Sequence, residues 1–348
     1  MSNDSQAHSN QHALFAVLLG IVGLLILLVF ITIRSQGDNA STTSAVGNAL
    51  PTVDTVVVGP STTAADITLT EGTTTTVTVS GNYTDTNSCH DVADTGHIKV
   101  QLGRQSAFST GGTGPDCGTY DDNHCIVENV QMASGVSSGS THWSCTVSNC
   151  TTSDDTTGSY VCTAPLQYYM TPTDAASRFT ADKLKATVIM SDAGGAGAAT
   201  GNTSQELNTT DALSLDATTV SSGINYGSIA LGGTSAEKTV VVTNSGNSCG
   251  DNVGVCAGIK VQISGSDMTG SGCTTTIDKG QQRWDINAGT AWTGQTALTG
   301  SPVNMVMSMP KANTSTAVTA STYWKLKLPT TGVGGTCAGT VTYSPVRL

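Results

Sequence analysis

Apolar residues follow two regimes along this chain. From Ala13 to Ile33 they are continuous, with no charge and Thr32 the one polar side chain. As a helix this stretch spans about 30 Å, the thickness of a bilayer's hydrocarbon core. Every backbone amide is then satisfied inside the segment. A cleaved signal peptide would show a shorter apolar run behind Lys or Arg. Met1 to His12 carry neither, so the pattern predicts a retained transmembrane helix over 13–33 behind a short tail, 1–12. Residues 34–60, rich in Ser, Thr, Gly and Asn at their start, read as a flexible linker.

Beyond the linker the period drops to two. Val77 and Val79, then Ile98, Val100 and Leu102, then Tyr160 and Cys162, and finally Ala186, Val188 and Met190 recur at every second position. That is the signature of strands with one buried face. A second series follows with Val240 and Val242, with Ile259, Val261 and Ile263, and with Trp324, Leu326 and Leu328 opposite Lys325 and Lys327. Gly- and Asn-rich turns such as Asn244-Ser245-Gly246-Asn247 separate the runs. No window after the membrane segment sustains a helical period. The fold class expected is all-β: an N-terminal transmembrane helix followed by two tandem β-sandwich domains, 61–206 and 212–348, stapled by disulfides. A length of 348 residues accommodates two such cores.

Composition narrows the partners. Charged residues are 11% of the chain and the formal net charge is -11. A phosphate backbone would be repelled, so nucleic acid is not an expected partner.

The run "INYGSIALGGTSAEKTVVVTNSGN" (Ile224 to Asn247), with "YWKLKLPTTGVGGTCAGTVTY" (Tyr323 to Tyr343), resembles immunoglobulin-like sandwich modules of uncharacterised prokaryotic cell-surface proteins. "ITLTEGTTTTVTVSGNYTDTNSC" (Ile67 to Cys89) and "ATVIMSDAGGAGAAT" (Ala186 to Thr200) are similar to the first and last strands of such a module. Trp324-Lys325-Leu326 also resembles the WxL modules of wall-bound proteins, although "TVTYSPV" stands where their second copy belongs. The resemblance implies that both domains, 61–206 and 212–348, are immunoglobulin-like β-sandwiches, and it implies a surface location.

All ten cysteines lie beyond the apolar stretch. Cys89, Cys117, Cys125, Cys145, Cys150 and Cys162 fall in the first β-region, and Cys249, Cys256, Cys273 and Cys337 in the second. Even sets in an extracytoplasmic chain read as disulfides. The local pairs expected are Cys145 with Cys150 and Cys249 with Cys256, leaving Cys273 for Cys337. Arg34 alone would keep the C-terminal side inside, but one flanking charge has little influence on a long translocated domain. The cysteines therefore decide for an extracytoplasmic location.

Metal is the rival use of this region. His90, His97, His124 and His142 lie among the cysteines, yet no CxxC pair accompanies them. Calcium has the better oxygen donors: Asp85, Asp91 and Asp94 in one segment, and Asp121 and Asp122, with Asp116, in another. Their spacing is not that of an EF-hand, and no other cofactor is expected. Asn82, Asn202, Asn208 and Asn313 open Asn-x-Ser/Thr triplets and are glycosylation candidates.

Three enzyme-related motifs fail on context. Leu328 to Gly332 spells a sortase signal without the apolar tail such a signal needs. Gly135 to Gly139 fits GxSxG without the strand and helix of a nucleophile elbow. Asp94-Thr95-Gly96 lacks the second carboxylate of an aspartic protease. The expectation is a non-enzyme: a single-pass, membrane-anchored cell-surface structural or adhesion protein that engages surface glycans, proteins or its own copies. The alternative is a pilin-like subunit of an extracellular filament, with the apolar helix in the fibre core.

Overall fold

The computed structural model describes residues 15–25, 47–108, 123–133, 136–137, 142–220, 223–250 and 256–348. The chain divides into two units, Met1–Gly47 and Asn48–Leu348. In the first, residues 15–25 form a helix, α1, whose side chains are all exposed. Among the described residues no helix is long and apolar enough to cross a membrane. Residues 13, 14 and 26–33 of the expected span lie outside them.

The second unit is built of strands. Its first half runs β1 (Thr52–Val53), β2 (Val57–Gly59), β3 (Thr74–Thr84), α2 (Cys89–Thr95), β4 (His97–Arg104), β5 (Cys125–Ala133), β6 (Val136–Ser137), β7 (Ser144–Ser148), β8 (Thr157–Gln167), β9 (Leu184–Asp192), β10 (Gly195–Ala196) and β11 (Thr200–Gln205). One sheet has the order β1-β3-β8-β7, with β2 also on β3. The other has the order β10-β9-β4-β5-β6, with β11 on β9. Both sheets send their alternate apolar residues into one core that holds Val77, Val79, Ile98, Val100, Tyr160, Val188 and Met190. Strand pairing begins earlier than the sequence pattern indicates. β1 and β2 lie inside the stretch read as linker, because Val53, Val56 and Val58 are buried in this core.

The second half runs β12 (Leu213–Leu215), α3 (Ala217–Val220), β13 (Lys238–Asn244), β14 (Ile259–Gly265), β15 (Gln282–Asp285), β16 (Thr296–Ala297), β17 (Val303–Met309), β18 (Val318–Leu326) and β19 (Val341–Arg347). A five-stranded sheet, β12-β13-β18-β15-β16, packs on a three-stranded one, β17-β14-β19. Trp324 pins the two sheets together. It is fully buried, and its Nε1 donates to Thr322 Oγ1 at 3.0 Å and to the Tyr343 hydroxyl on the opposite sheet at 2.8 Å. The tryptophan of the WxL-like triplet is thus a core residue here.

A separate set of contacts joins the halves within this unit. Arg347 forms an ion pair with Asp211 at 2.8 Å and donates to Ala176 O at 3.0 Å. The Asn244 to Asn247 turn is buried rather than solvated. Asn244 Nδ2 donates to Met309 O, and Asn247 Nδ2 to Met170 O. Its polar side chains satisfy backbone groups that the junction removes from water.

Candidate functional site

The disulfides fix the loops first. Cys89 pairs with Cys150, Cys145 with Cys162, Cys249 with Cys256 and Cys273 with Cys337. Cys125 is also disulfide-bonded, and Cys117 lies outside the described residues. The local Cys145–Cys150 pair expected from the sequence is replaced by a cross-strand bridge. Register is the cause: Cys145 on β7 stands directly opposite Cys162 on β8, with Cα atoms 4.0 Å apart. Cys150, past the end of β7, is left to reach the start of α2.

That helix is the second departure from the sequence reading. Asp91 and Asp94, expected in a loop, lie on α2, which Ser88 caps by accepting the His90 N–H at 3.2 Å. Asp91 is exposed and Asp94 half-buried. Asp85 is fully buried; its Oδ1 accepts the Asn87 N–H at 3.0 Å and its Oδ2 has no hydrogen-bond partner. Burial raises its pKa above the ordinary carboxylate value, and repulsion from Asp192 and Asp91 adds to the rise. Among the described residues no three His, Cys, Asp or Glu side chains gather as a metal site. Asp116, Asp121 and Asp122 lie outside them. The sulfurs beside His90 and His124 are committed to disulfides. His142 faces Glu128 at 3.6 Å.

The remaining motifs take structural places. Val136 and Ser137 of the GxSxG run form β6 on β5. Asp94-Thr95-Gly96 ends α2, where Thr95 Oγ1 donates back to Asp91 O at 3.3 Å. In the sortase-like run, Leu328 packs on the second core and Pro329 O accepts the Gly232 N–H at 2.9 Å. Of the glycosylation candidates, Asn82 and Asn313 are exposed. Asn202 Nδ2 donates to Val56 O, and Asn208 Nδ2 donates to Thr68 Oγ1.

The concave feature the sequence did not reveal lies in the second half. An open groove of about 820 Å³ runs between the edge of the five-stranded sheet and β19. Leu215, Ile224, Tyr226, Ile229, Leu326, Leu328 and Val333 supply its apolar part, backbone and polar side chains such as Asn225 and Gln282 the rest, and the Cys273–Cys337 bridge closes one wall at Cys337. Tyr226 donates its hydroxyl to Gln282 Oε1 at 3.3 Å, while Gln282 Nε2 is buried in the lining without a hydrogen-bond partner. Burial, and then Tyr343 nearby, hold the Tyr226 phenol far above its ordinary pKa, so it stays a neutral donor.

β19 borders this groove and pairs with β14 on its other side. Leu348 N donates to Gly258 O, and Ser266 N to Thr340 O. These bonds set the even-numbered residues as the ones that face β14, so Val341, Tyr343 and Pro345 turn their backbone groups toward the open edge. A groove with apolar and polar groups interspersed beside a strand edge is a place where an extended segment can be held.

No family model matches the chain, and no curated protein matches it. Solved structures give distant likenesses. A chain named BspA_C_mut is 10% identical with a TM-score of 0.23, covering 87% of this chain and 99% of that one. The CupB6 tip adhesin from Pseudomonas aeruginosa is 10% identical with a TM-score of 0.20, covering 85% and 91%. The C-terminal domain of the Streptococcus agalactiae AgI/II polypeptide BspA is 11% identical with a TM-score of 0.20, covering 82% and 95%. TM-scores this low carry no argument about this chain. What its own fold defines, among the described residues, is a disulfide-stapled, mostly β protein with packed sheets and a groove of mixed apolar and polar lining.

Proposed function

We propose that this is a non-enzymatic cell-surface adhesion protein. Residues 13–33 anchor it in a membrane, and two immunoglobulin-like sandwiches, 61–206 and 212–348, project outside the cell. The observation that carries the reading is the groove beside the β19 edge, where apolar side chains such as Ile224, Ile229 and Val333 lie beside the unsatisfied donor of Gln282 Nε2. An extended protein segment on the target surface would bury apolar side chains there and offer a carbonyl to that donor. The exposed apolar face of α1 and the oxidised cysteines support an anchored, extracytoplasmic setting.

The test uses Leu231, exposed at the groove rim, and Ile229 beside it. Cells carrying Leu231→Glu or Ile229→Glu at unchanged surface abundance should attach to a protein-coated surface roughly tenfold less, the effect of losing about 1.4 kcal/mol. Attachment equal to wild type in both variants and in a deletion strain would remove adhesion as the role.

A filament subunit is the second reading, favoured by the outward backbone groups of Val341 and Tyr343, which could pair with a strand of another copy. Electron microscopy of the cell surface separates the two, since fibres that vanish on deletion belong only to this alternative.

A further inference from the structure

The three-stranded sheet β17-β14-β19 has two edges: β19 borders the groove, and β17 ends the sheet on the other side. Register between β17 and β14 slips between Lys260 and Gln262, so Met305, Val306 and Met307 stand together against Val261. Met305 turns into the core, and Val306 is lifted out of the strand. Bulges, charges and prolines commonly blunt such edges. This bulge carries no charge and sets an aliphatic side chain at its crest. Val306 is 88% exposed, more than any other large apolar side chain among the described residues, and Val303 on the same strand is exposed as well.

Charge singles out the same two surfaces. No Asp, Glu, Lys or Arg occurs in 286–310, which contains β17, nor in 217–236 and 328–346, which supply most of the groove lining. Copies with a formal net charge of -11 repel one another. They meet at least electrostatic cost where both faces are neutral, and the crest and the groove are two such faces. The groove also supplies what the crest lacks. Apolar side chains such as Ile224, Ile229 and Val333 are there to cover Val306, and Gln282 Nε2 is an unsatisfied donor for a strand carbonyl. Val341 and Tyr343 add their outward backbone groups.

We infer that the occupant of the groove is β17 of a second copy, laid along β19 with Val306 seated among the apolar side chains. Strand addition of this kind combines backbone hydrogen bonds with a side chain held in a pocket. The inference rests on the reading of the groove as a holder of extended segments and gives it a named occupant. Because β17 and β19 are opposite edges of one sheet, the contact is head to tail. The copies at the two ends keep a free crest and a free groove, so the assembly grows as an open chain rather than closing as a dimer.

Sedimentation velocity of the full chain in nonionic detergent, over a series of concentrations, is the test. Wild type should form dimers and longer oligomers in turn. Val306→Asp and Leu231→Glu change exposed side chains, at the crest and at the groove rim, and each alone should raise the dissociation constant at least tenfold. An equimolar mixture of the two should form dimers and stop there, since the intact groove of one variant takes the intact crest of the other and no second contact remains. A monomeric wild type, association unchanged by Val306→Asp, or a mixture that stays monomeric would overturn the inference. Failure of the groove reading looks different. If wild type is monomeric while cells carrying Leu231→Glu still lose attachment, the groove holds a foreign segment, and only the contact between copies is overturned.

Discussion

Asp85 shows how one residue's surroundings set its protonation. Its carboxylate is removed from water and made less stable as an anion, so its folded-state pKa lies above the unfolded value. The folded protein therefore binds this proton more readily than the unfolded chain does. The stabilisation is complete below the unfolded value and is lost as pH rises through the raised folded one. Asp85→Asn keeps an acceptor for the Asn87 N–H and cannot ionise. Denaturant titrations should find it at least as stable as wild type at neutral pH, with a flatter profile across the range between the two values. A variant clearly less stable at neutral pH, with wild type destabilised by chelator, would instead make Asp85 a cation ligand.

Residues of this kind were only partly legible. The sequence identified Asp85 as an oxygen donor, but burial depends on partners distant along the chain. Lys311, which is buried at the junction and donates to Tyr169 O, was invisible for the same reason, since a lysine after Pro310 in a polar stretch reads as a solvated turn. Trp324 was placed on the inward face by alternation, while its bond to Tyr343 needed the second sheet.

Elements were more legible than their connections. The alternation at Val77, Val79, Ile98 and Val100, and again at Val240 and Val261, sits on β3, β4, β13 and β14, because a period of two survives into any sheet with one wet face. Helix α2 escaped because seven residues hold too few turns to show a period, and its capping depends on Ser88 alone. Disulfide connectivity escaped because register is a tertiary property: Cys145 meets Cys162 only after β7 and β8 align.

Those bridges differ in what they close. Cys273–Cys337 spans 64 residues and Cys249–Cys256 spans 7. Loop-closure entropy grows with the logarithm of that span, so replacing Cys273 and Cys337 by alanine should cost about 2 kcal/mol more than replacing Cys249 and Cys256. Urea midpoints of the two double variants check the order. Equal costs would mean that unfolded-chain entropy is not what the longer bridge restrains.

For the whole molecule, composition and patterning gave reasons against a nucleic-acid partner and offered no intact catalytic motif, without naming a ligand. The groove beside β19 could not be foreseen, since its walls come from segments as distant as Leu215 and Tyr343 and its opening is a property of sheet edges. Sequence alternation marks which face of a strand is buried and carries no information on whether an edge is covered. The junction at Asn247, Arg347 and Lys311 likewise makes one unit of two cores through contacts that no local pattern encodes.

The central claim is that Asn48–Leu348 stands outside the cell, oxidised, on a membrane-held N-terminal segment. Protease added to intact cells, followed by thiol alkylation without reductant, tests it most directly. The account predicts that the β-unit is digested or released while the membrane fraction keeps the 13–33 segment, and that no cysteine takes up the alkylating reagent. A β-unit protected until the cells are lysed, with its thiols then open to alkylation, would contradict it.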